Sequence, residues 1–117
     1  MDIHGRCHCG NVSYVLHTTK TLEELAPREC GCSFCRAQAA KCVSDPEGNA
    51  TVTVQDASRL LRYHFNMNSI EFFLCGTCGV YMGGVMDDEG QHRVTLNLRR
   101  TPHHDAPGAA KDYDDED

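Results

Sequence analysis

Phe73-Leu-Cys75-Gly-Thr-Cys78-Gly79 is the stretch on which the reading of this chain turns. Two cysteines three apart place both sulfurs on one tetrahedral metal at ~2.3 Å, provided the loop between them curls back. Gly76 helps the chain turn, and Gly79 suits the positive φ that such a knuckle needs. In that geometry backbone N–H groups point at the sulfurs and offset their charge. A redox dithiol of the same spacing wants a helix starting at its first cysteine. The flanks here, Phe72-Phe-Leu and Val80-Tyr-Met, are strand-type runs, which favours metal.

A two-cysteine knuckle cannot close a tetrahedral site, so partners are needed. The chain has eight cysteines in 117 residues. Cys7-His-Cys9-Gly10 offers a second close pair, and Cys30-Gly-Cys32-Ser-Phe-Cys35-Arg36 offers three thiols within six residues. Cys42, in an Ala-Ala-Lys-Cys-Val run of strand character, is expected to be a buried apolar cysteine rather than a ligand that closes the three-cysteine group. Spacing does not decide which pairs share a metal. The division of Cys7, Cys9, Cys75 and Cys78 from the rest competes with Cys7, Cys9, Cys30 and Cys32 against Cys35, Cys42, Cys75 and Cys78.

The choice of metal over disulfides rests on compartment. Met1-Asp-Ile-His-Gly-Arg has neither a basic n-region nor an apolar h-region, and no apolar run approaches the ~18 residues that span a bilayer. The expected location is the cytoplasm, where thiols stay reduced and clustered cysteines bind metal. With no tryptophan, four phenylalanines and four tyrosines, a purely hydrophobic core would be thin, and zinc is the expected reinforcement.

The net charge of −6 belongs mostly to the C-terminal end. From Thr101 onward, six acidic residues face Lys111 alone, which leaves residues 1–100 at −1. Such a body has no basic field for nucleic acid, and no membrane partner is expected. Residues 1–100 read as a single zinc-binding domain; residues 101–117, rich in Pro, Gly, Ala and acid, read as a disordered tail.

Within the body, Asn11-Val-Ser-Tyr-Val-Leu-His, Thr51-Val-Thr-Val-Gln, Arg62-Tyr-His-Phe-Asn-Met and Arg93-Val-Thr-Leu-Asn-Leu-Arg alternate as half-buried strands do. Turn signals at Asp45-Pro-Glu-Gly-Asn, Asn66-Met-Asn-Ser and Asp87-Asp-Glu-Gly separate them. Helix signals are weak: a capping box at Thr21-Leu-Glu-Glu, limited by Pro27, and a single turn at Asp56-Ala-Ser-Arg. The fold class is mainly β.

Gly5-Arg-Cys7-His-Cys9-Gly10-Asn-Val12, Cys30-Gly-Cys32-Ser33-Phe-Cys35-Arg36 and Phe73-Leu-Cys75-Gly-Thr-Cys78-Gly79, in this order, resemble the glutathione-dependent formaldehyde-activating enzyme family, which includes the centromere protein V-like proteins. The resemblance covers about residues 3–100, and Leu60-Leu-Arg-Tyr63 fits it too. It implies an Mss4-like fold of coiled antiparallel sheets with short helical turns, stabilised by zinc. It also implies two zinc ions per chain: a structural one on Cys7, Cys9, Cys75 and Cys78, and a catalytic-type one on Cys30, Cys32 and Cys35. Gly31 stands where many members carry histidine, and Cys42 is outside the family's motif.

The function so implied is a zinc-dependent carbon–sulfur lyase-type activity, like S-(hydroxymethyl)glutathione synthase. Its partners would be a thiol such as glutathione and formaldehyde or another small aldehyde. Three sulfur ligands leave one position for substrate, the general form of a catalytic zinc. The alternative is a non-catalytic two-zinc module of the same fold, its second site closed by Cys42 or by a histidine such as His8, His64 or His92. A thiol-based reductase is a third reading, for which Cys42 is the spare nucleophile. No phosphate-binding glycine loop and no Gly-x-Ser-x-Gly elbow occurs. Arg36 is a candidate partner for a substrate carboxylate.

Overall fold

The computed structural model describes residues 1–31, 33–64, 70–88, 91–106 and 108–111. Twelve elements frame it. They are β1 (Asp2–Arg6), β2 (Val12–His17), α1 (Leu22–Leu25), β3 (Arg28–Cys30), α2 (Ser33–Gln38), β4 (Cys42–Val43), β5 (Asn49–Val54), β6 (Leu60–Tyr63), β7 (Ile70–Cys75), β8 (Tyr81–Asp88), β9 (Gln91–Asn97) and β10 (Ala109–Lys111). Short 3-10 turns follow β5 (Ala57–Arg59) and β9 (Leu98–Arg100). The chain is mainly β, as its alternating runs require.

The strands form two sheets, one ordered β1-β2-β5 and one ordered β10-β3-β4-β9-β8-β7-β6. Pairing is antiparallel except between β10 and β3. Period-2 alternation explains how the larger sheet covers two cores. Val43, Phe73 and Met82 go to a main core shared with Ile3, Val12, Tyr14 and Leu16 of the smaller sheet. Their neighbours Cys42, Phe72 and Tyr81 go to a second cluster, together with Cys35 of α2 and Ala40. Adjacent residues of a strand point to opposite faces. A strand buried on both faces therefore reads as a continuous apolar run, which is why Ile70-Glu-Phe-Phe-Leu-Cys75 shows so little polar spacing.

Gly83 is the tightest point of this arrangement. It pairs with Leu96 on one side and Phe73 on the other. A Cβ there would run into the Thr95 carbonyl oxygen and lie 3.0 Å from the Phe73 ring. Backbone cannot yield as a flexible side chain can, so Gly83→Ala is expected to cost about 1–3 kcal/mol. Denaturant unfolding of wild type and variant measures it; equal midpoints would contradict the packing described.

The loop between β4 and β5 is tied to the end of β2 by Asp45, whose side chain is 2% exposed. It accepts from the Thr18 hydroxyl at 2.5 Å and the Glu47 N–H at 3.0 Å, and pairs with Lys20 at 3.2 Å. The Thr18 hydrogen bond first, then the Glu47 amide and Lys20, hold its carboxyl below the usual range against the opposing effect of burial. A carboxyl lowered by folding contributes stability that is full above its unfolded value of ~3.9 and fades as pH falls through the folded one. Asp45→Ala should therefore lower the denaturation midpoint at neutral pH, with the gap to wild type narrowing as pH drops below about 4. A gap constant with pH would contradict the ion's role.

Beyond Thr101 the described residues run to 106 and from 108 to 111. Thr101 is buried, its hydroxyl donates to the Leu98 carbonyl at 2.7 Å, and Ala109–Lys111 pairs with β3. Lys41 meets this segment: its side chain is buried and its ammonium donates to the carbonyls of His104 and Ala106, at 3.3 and 2.5 Å. Composition alone could not show that a distant lysine satisfies those carbonyls. Residues 112–117 lie outside the described residues. α2 is a helix inside the three-cysteine motif, for which the sequence reading gives no secondary structure. Both weak helical signals hold, with a complete capping box at Thr21 and Glu24 and a turn capped by Asp56. The turn signals at Asn66-Met-Asn-Ser and Glu89-Gly90 lie outside the described residues, although Asp88 pairs with Gln91 across the latter.

Candidate metal centre

Two similar knuckles build the site. Cys7 follows β1; its N–H donates to the Val12 carbonyl at 2.9 Å, and Gly10 donates back to the Cys7 carbonyl at 3.2 Å. Cys75 ends β7; its N–H donates to the Val80 carbonyl at 3.0 Å, and Gly79 donates to the Cys75 carbonyl at 2.8 Å. Gly10 and Gly79 take φ values of +87° and +77°, a region open to glycine without strain. Each reversal turns N–H groups onto sulfur: Val12 onto Cys7 at 3.3 Å, and Thr77 and Cys78 onto Cys75 at 3.4 and 3.5 Å.

The knuckles face each other. The sulfurs of Cys7, Cys9, Cys75 and Cys78 all lie within 4.8 Å of one another, with Cys7–Cys9 at 3.8 Å and Cys9–Cys75 at 3.5 Å. A tetrahedral metal with ~2.3 Å sulfur bonds spaces its ligands ~3.8 Å apart. The residues present fit a four-thiolate metal. Cys7 and Cys75 belong to the main core, fully buried, while Cys9 is exposed, so the centre sits at the margin of the core with one side open.

Electrostatics point the same way. Burial opposes ionisation of Cys78, yet the N–H groups of Cys9 and Val80 and the thiols of Cys75 and Cys7 hold it down to about 6. Cys75 is also lowered, against burial, by the amides of Cys78 and Thr77 and the thiol of Cys9. Cys9 accepts from the Asn11 amide, which favours its thiolate, but the Cys75 thiol, burial, Cys7 and Cys78 push it up to about 11. Four sulfurs this close cannot all carry charge without a cation among them, and amides aimed at them favour its arrival.

The three-cysteine motif lies elsewhere. β3 ends at Cys30, and α2 carries Cys35 into the second cluster, on the opposite face of the larger sheet from Cys75. Cys32 and the side chain of Cys30 lie outside the described residues. Cys42 is buried in the same cluster as Cys35, and that thiol first, then Tyr81, Thr95 and Arg28, hold it down to about 7 against the effect of burial. That these two cysteines, seven apart, share a cluster was not legible in the sequence, because it needs the chain reversal after α2. Arg36 is exposed in the last turn of α2, and His8 and His64 are exposed. The side chain of His92 lies outside the described residues.

Comparison with known proteins agrees with the architecture. A crystal structure of a Rhodobacter sphaeroides protein superposes with a TM-score of 0.69 at 23% identity, covering 92% of this chain and 99% of that one, which shows a shared fold. None of the curated proteins searched matches this chain. Residues 2–110, nearly the whole described chain, match the sequence profile described as glutathione-dependent formaldehyde-activating enzyme. On that match, the chain belongs to the glutathione-dependent formaldehyde-activating enzyme family.

Proposed function

We propose that this protein is a zinc-dependent carbon–sulfur lyase-type enzyme that reversibly adds a thiol, glutathione or a similar small thiol, to formaldehyde or another small aldehyde. Its structural zinc is assigned to Cys7, Cys9, Cys75 and Cys78, and its catalytic-type zinc to Cys30, Cys32 and Cys35. Beyond family membership, the observation that carries this reading is the separation of the two sulfur groups. Cys7, Cys9, Cys75 and Cys78 satisfy one another, leaving the three-cysteine motif free for a site of its own.

A divalent zinc held there would lower the pKa of a substrate thiol from its ordinary ~8.5. In the addition, the thiol sulfur bonds to the carbonyl carbon, the π pair moves to oxygen, and that oxygen gains the proton the thiol gives up. The chain's share is to hold the two reactants together. Cys35 is fixed for this by α2 packing on Phe72, where the Phe34 ring stacks with its centroid 4.2 Å from that of Phe72. Arg36, on the exposed side of the same helix, is the proposed partner of a substrate carboxylate.

The cytoplasm, with its reduced thiols, is the proposed location, and nucleic acid is not a proposed partner. Among the described residues, no helix is long and apolar enough to cross a membrane.

Exchange NMR on glutathione–formaldehyde mixtures tests the activity. The protein should accelerate interconversion with S-hydroxymethylglutathione above the uncatalysed rate, and removal of metal should abolish the gain. No acceleration with glutathione or with a panel of small thiols and aldehydes would favour a non-catalytic two-zinc module.

A further inference from the structure

We propose that Cys9 is a site of reversible oxidation: hydrogen peroxide oxidises its thiolate, and the Cys75 sulfur then closes a disulfide with it, so that the four-cysteine centre gives up its metal. The proposal uses that centre alone and is independent of the lyase activity.

Access singles out Cys9. Cys7 and Cys75 are fully buried, at 0% exposure, and Cys78 is half-buried, while Cys9 is exposed in the turn closed by the Gly10 N–H on the Cys7 carbonyl. A small oxidant reaches this sulfur directly and not the two beneath it. The chemistry suits the same atom. A thiol bound to a divalent metal is deprotonated outright. The thiolate is the form that peroxide attacks, and susceptibility follows thiolate character and exposure. Four thiolates also outweigh the charge of one zinc ion, which leaves their sulfurs electron-rich.

Geometry selects the partner. The Cys75 sulfur lies 3.5 Å from that of Cys9, and the Cys7 sulfur lies 3.8 Å away. A bond to Cys7, only two residues off, would close a ring too small for the dihedral of about 90° that a disulfide prefers. Cys75 comes from the end of β7, 66 residues along the chain, and carries no such constraint.

The step balances with peroxide as the oxidant. The Cys9 sulfur attacks one peroxide oxygen, the O–O bond breaks, and the departing oxygen takes a proton from solvent to become water. Cys9 is then a sulfenic acid. The Cys75 sulfur attacks the Cys9 sulfur, the S–O bond breaks, and that oxygen leaves with a second proton as another water. Two thiolates have lost two electrons and the peroxide has gained them. The centre has lost two of its four ligands, yet the same two knuckles are now joined covalently. A dithiol restores both thiolates by exchange.

Peptide mapping of the full chain during stepwise addition of hydrogen peroxide, with released zinc read by a chromogenic chelator, tests this. A Cys9–Cys75 crosslinked peptide should accumulate with zinc released in step, and a dithiol with added zinc should reverse both changes. Cys9→His, which keeps a zinc ligand and removes the oxidisable sulfur, should form no crosslink to Cys75. Cys9 joined to Cys7 or Cys78 would overturn the proposal. So would an unmodified Cys9 in a chain whose other cysteines are oxidised, or a Cys9–Cys75 crosslink formed without loss of zinc. Should Cys9→His fail to fold, the wild-type map decides alone.

Discussion

Cys75→Ser is expected to leave the chain unfolded at neutral pH, with strand circular dichroism lost and no cooperative denaturant transition. Cys75 is fully buried, receives two backbone N–H groups on its sulfur, and lies 3.5 Å from the sulfur of Cys9, 66 residues earlier. A metal at this point therefore joins β1 of the smaller sheet to β7 of the larger one and closes a long loop, which is costly for a chain to do by packing alone. Structural zinc in thiolate sites contributes about 10–16 kcal/mol apparent free energy at neutral pH. A whole domain is stable by only about 5–15 kcal/mol. Losing one buried ligand thus removes an amount comparable with the entire stability. A Cys75→Ser protein that melts cooperatively at the wild-type midpoint would show that sheet packing suffices and that the four sulfurs hold no structural ion.

Cys32→Ser is expected to act in the opposite manner. It should reduce turnover of the thiol–aldehyde reaction by about 100-fold or more, since loss of even an outer-shell partner weakens a metal site by about 10–100-fold. The fold should persist, because the four-cysteine cluster and the main core remain intact. The measurement pairs exchange NMR for activity with thermal unfolding for integrity. Unfolding of Cys32→Ser together with loss of activity would make the second site structural too, which is the module reading. Full activity would remove Cys32 from the catalytic ligands.

Much of this could be read from residue order. The strand runs at Asn11–His17 and Arg93–Leu98 form β2 and β9, since alternation survives wherever a strand has one dry face and one mixed face. The knuckle at Cys75–Gly79 was legible because its glycine, spacing and strand flanks all agree. Spacing left two divisions of the eight cysteines open; only the meeting of β1 with β7 brings Cys9 against Cys75, and that depends on pairings across the whole chain. α2 was hidden because Ser33–Gln38 is too short for a helical period to emerge. The strand at Ala109–Lys111 was hidden for another reason: composition at the C-terminus says nothing of its pairing with β3, or of Lys41, whose ammonium donates to the carbonyls of His104 and Ala106. The meeting of Cys35 and Cys42 in one buried cluster belongs to the same class, made by a reversal that no local pattern announces.

Zinc content per folded chain tests the central claim most directly. Elemental analysis of wild type should give about two zinc ions per chain, and Cys32→Ser about one, the ion it keeps being that of the Cys7, Cys9, Cys75 and Cys78 cluster. A wild-type chain that is folded and free of metal, or that carries iron in place of zinc, would contradict the account.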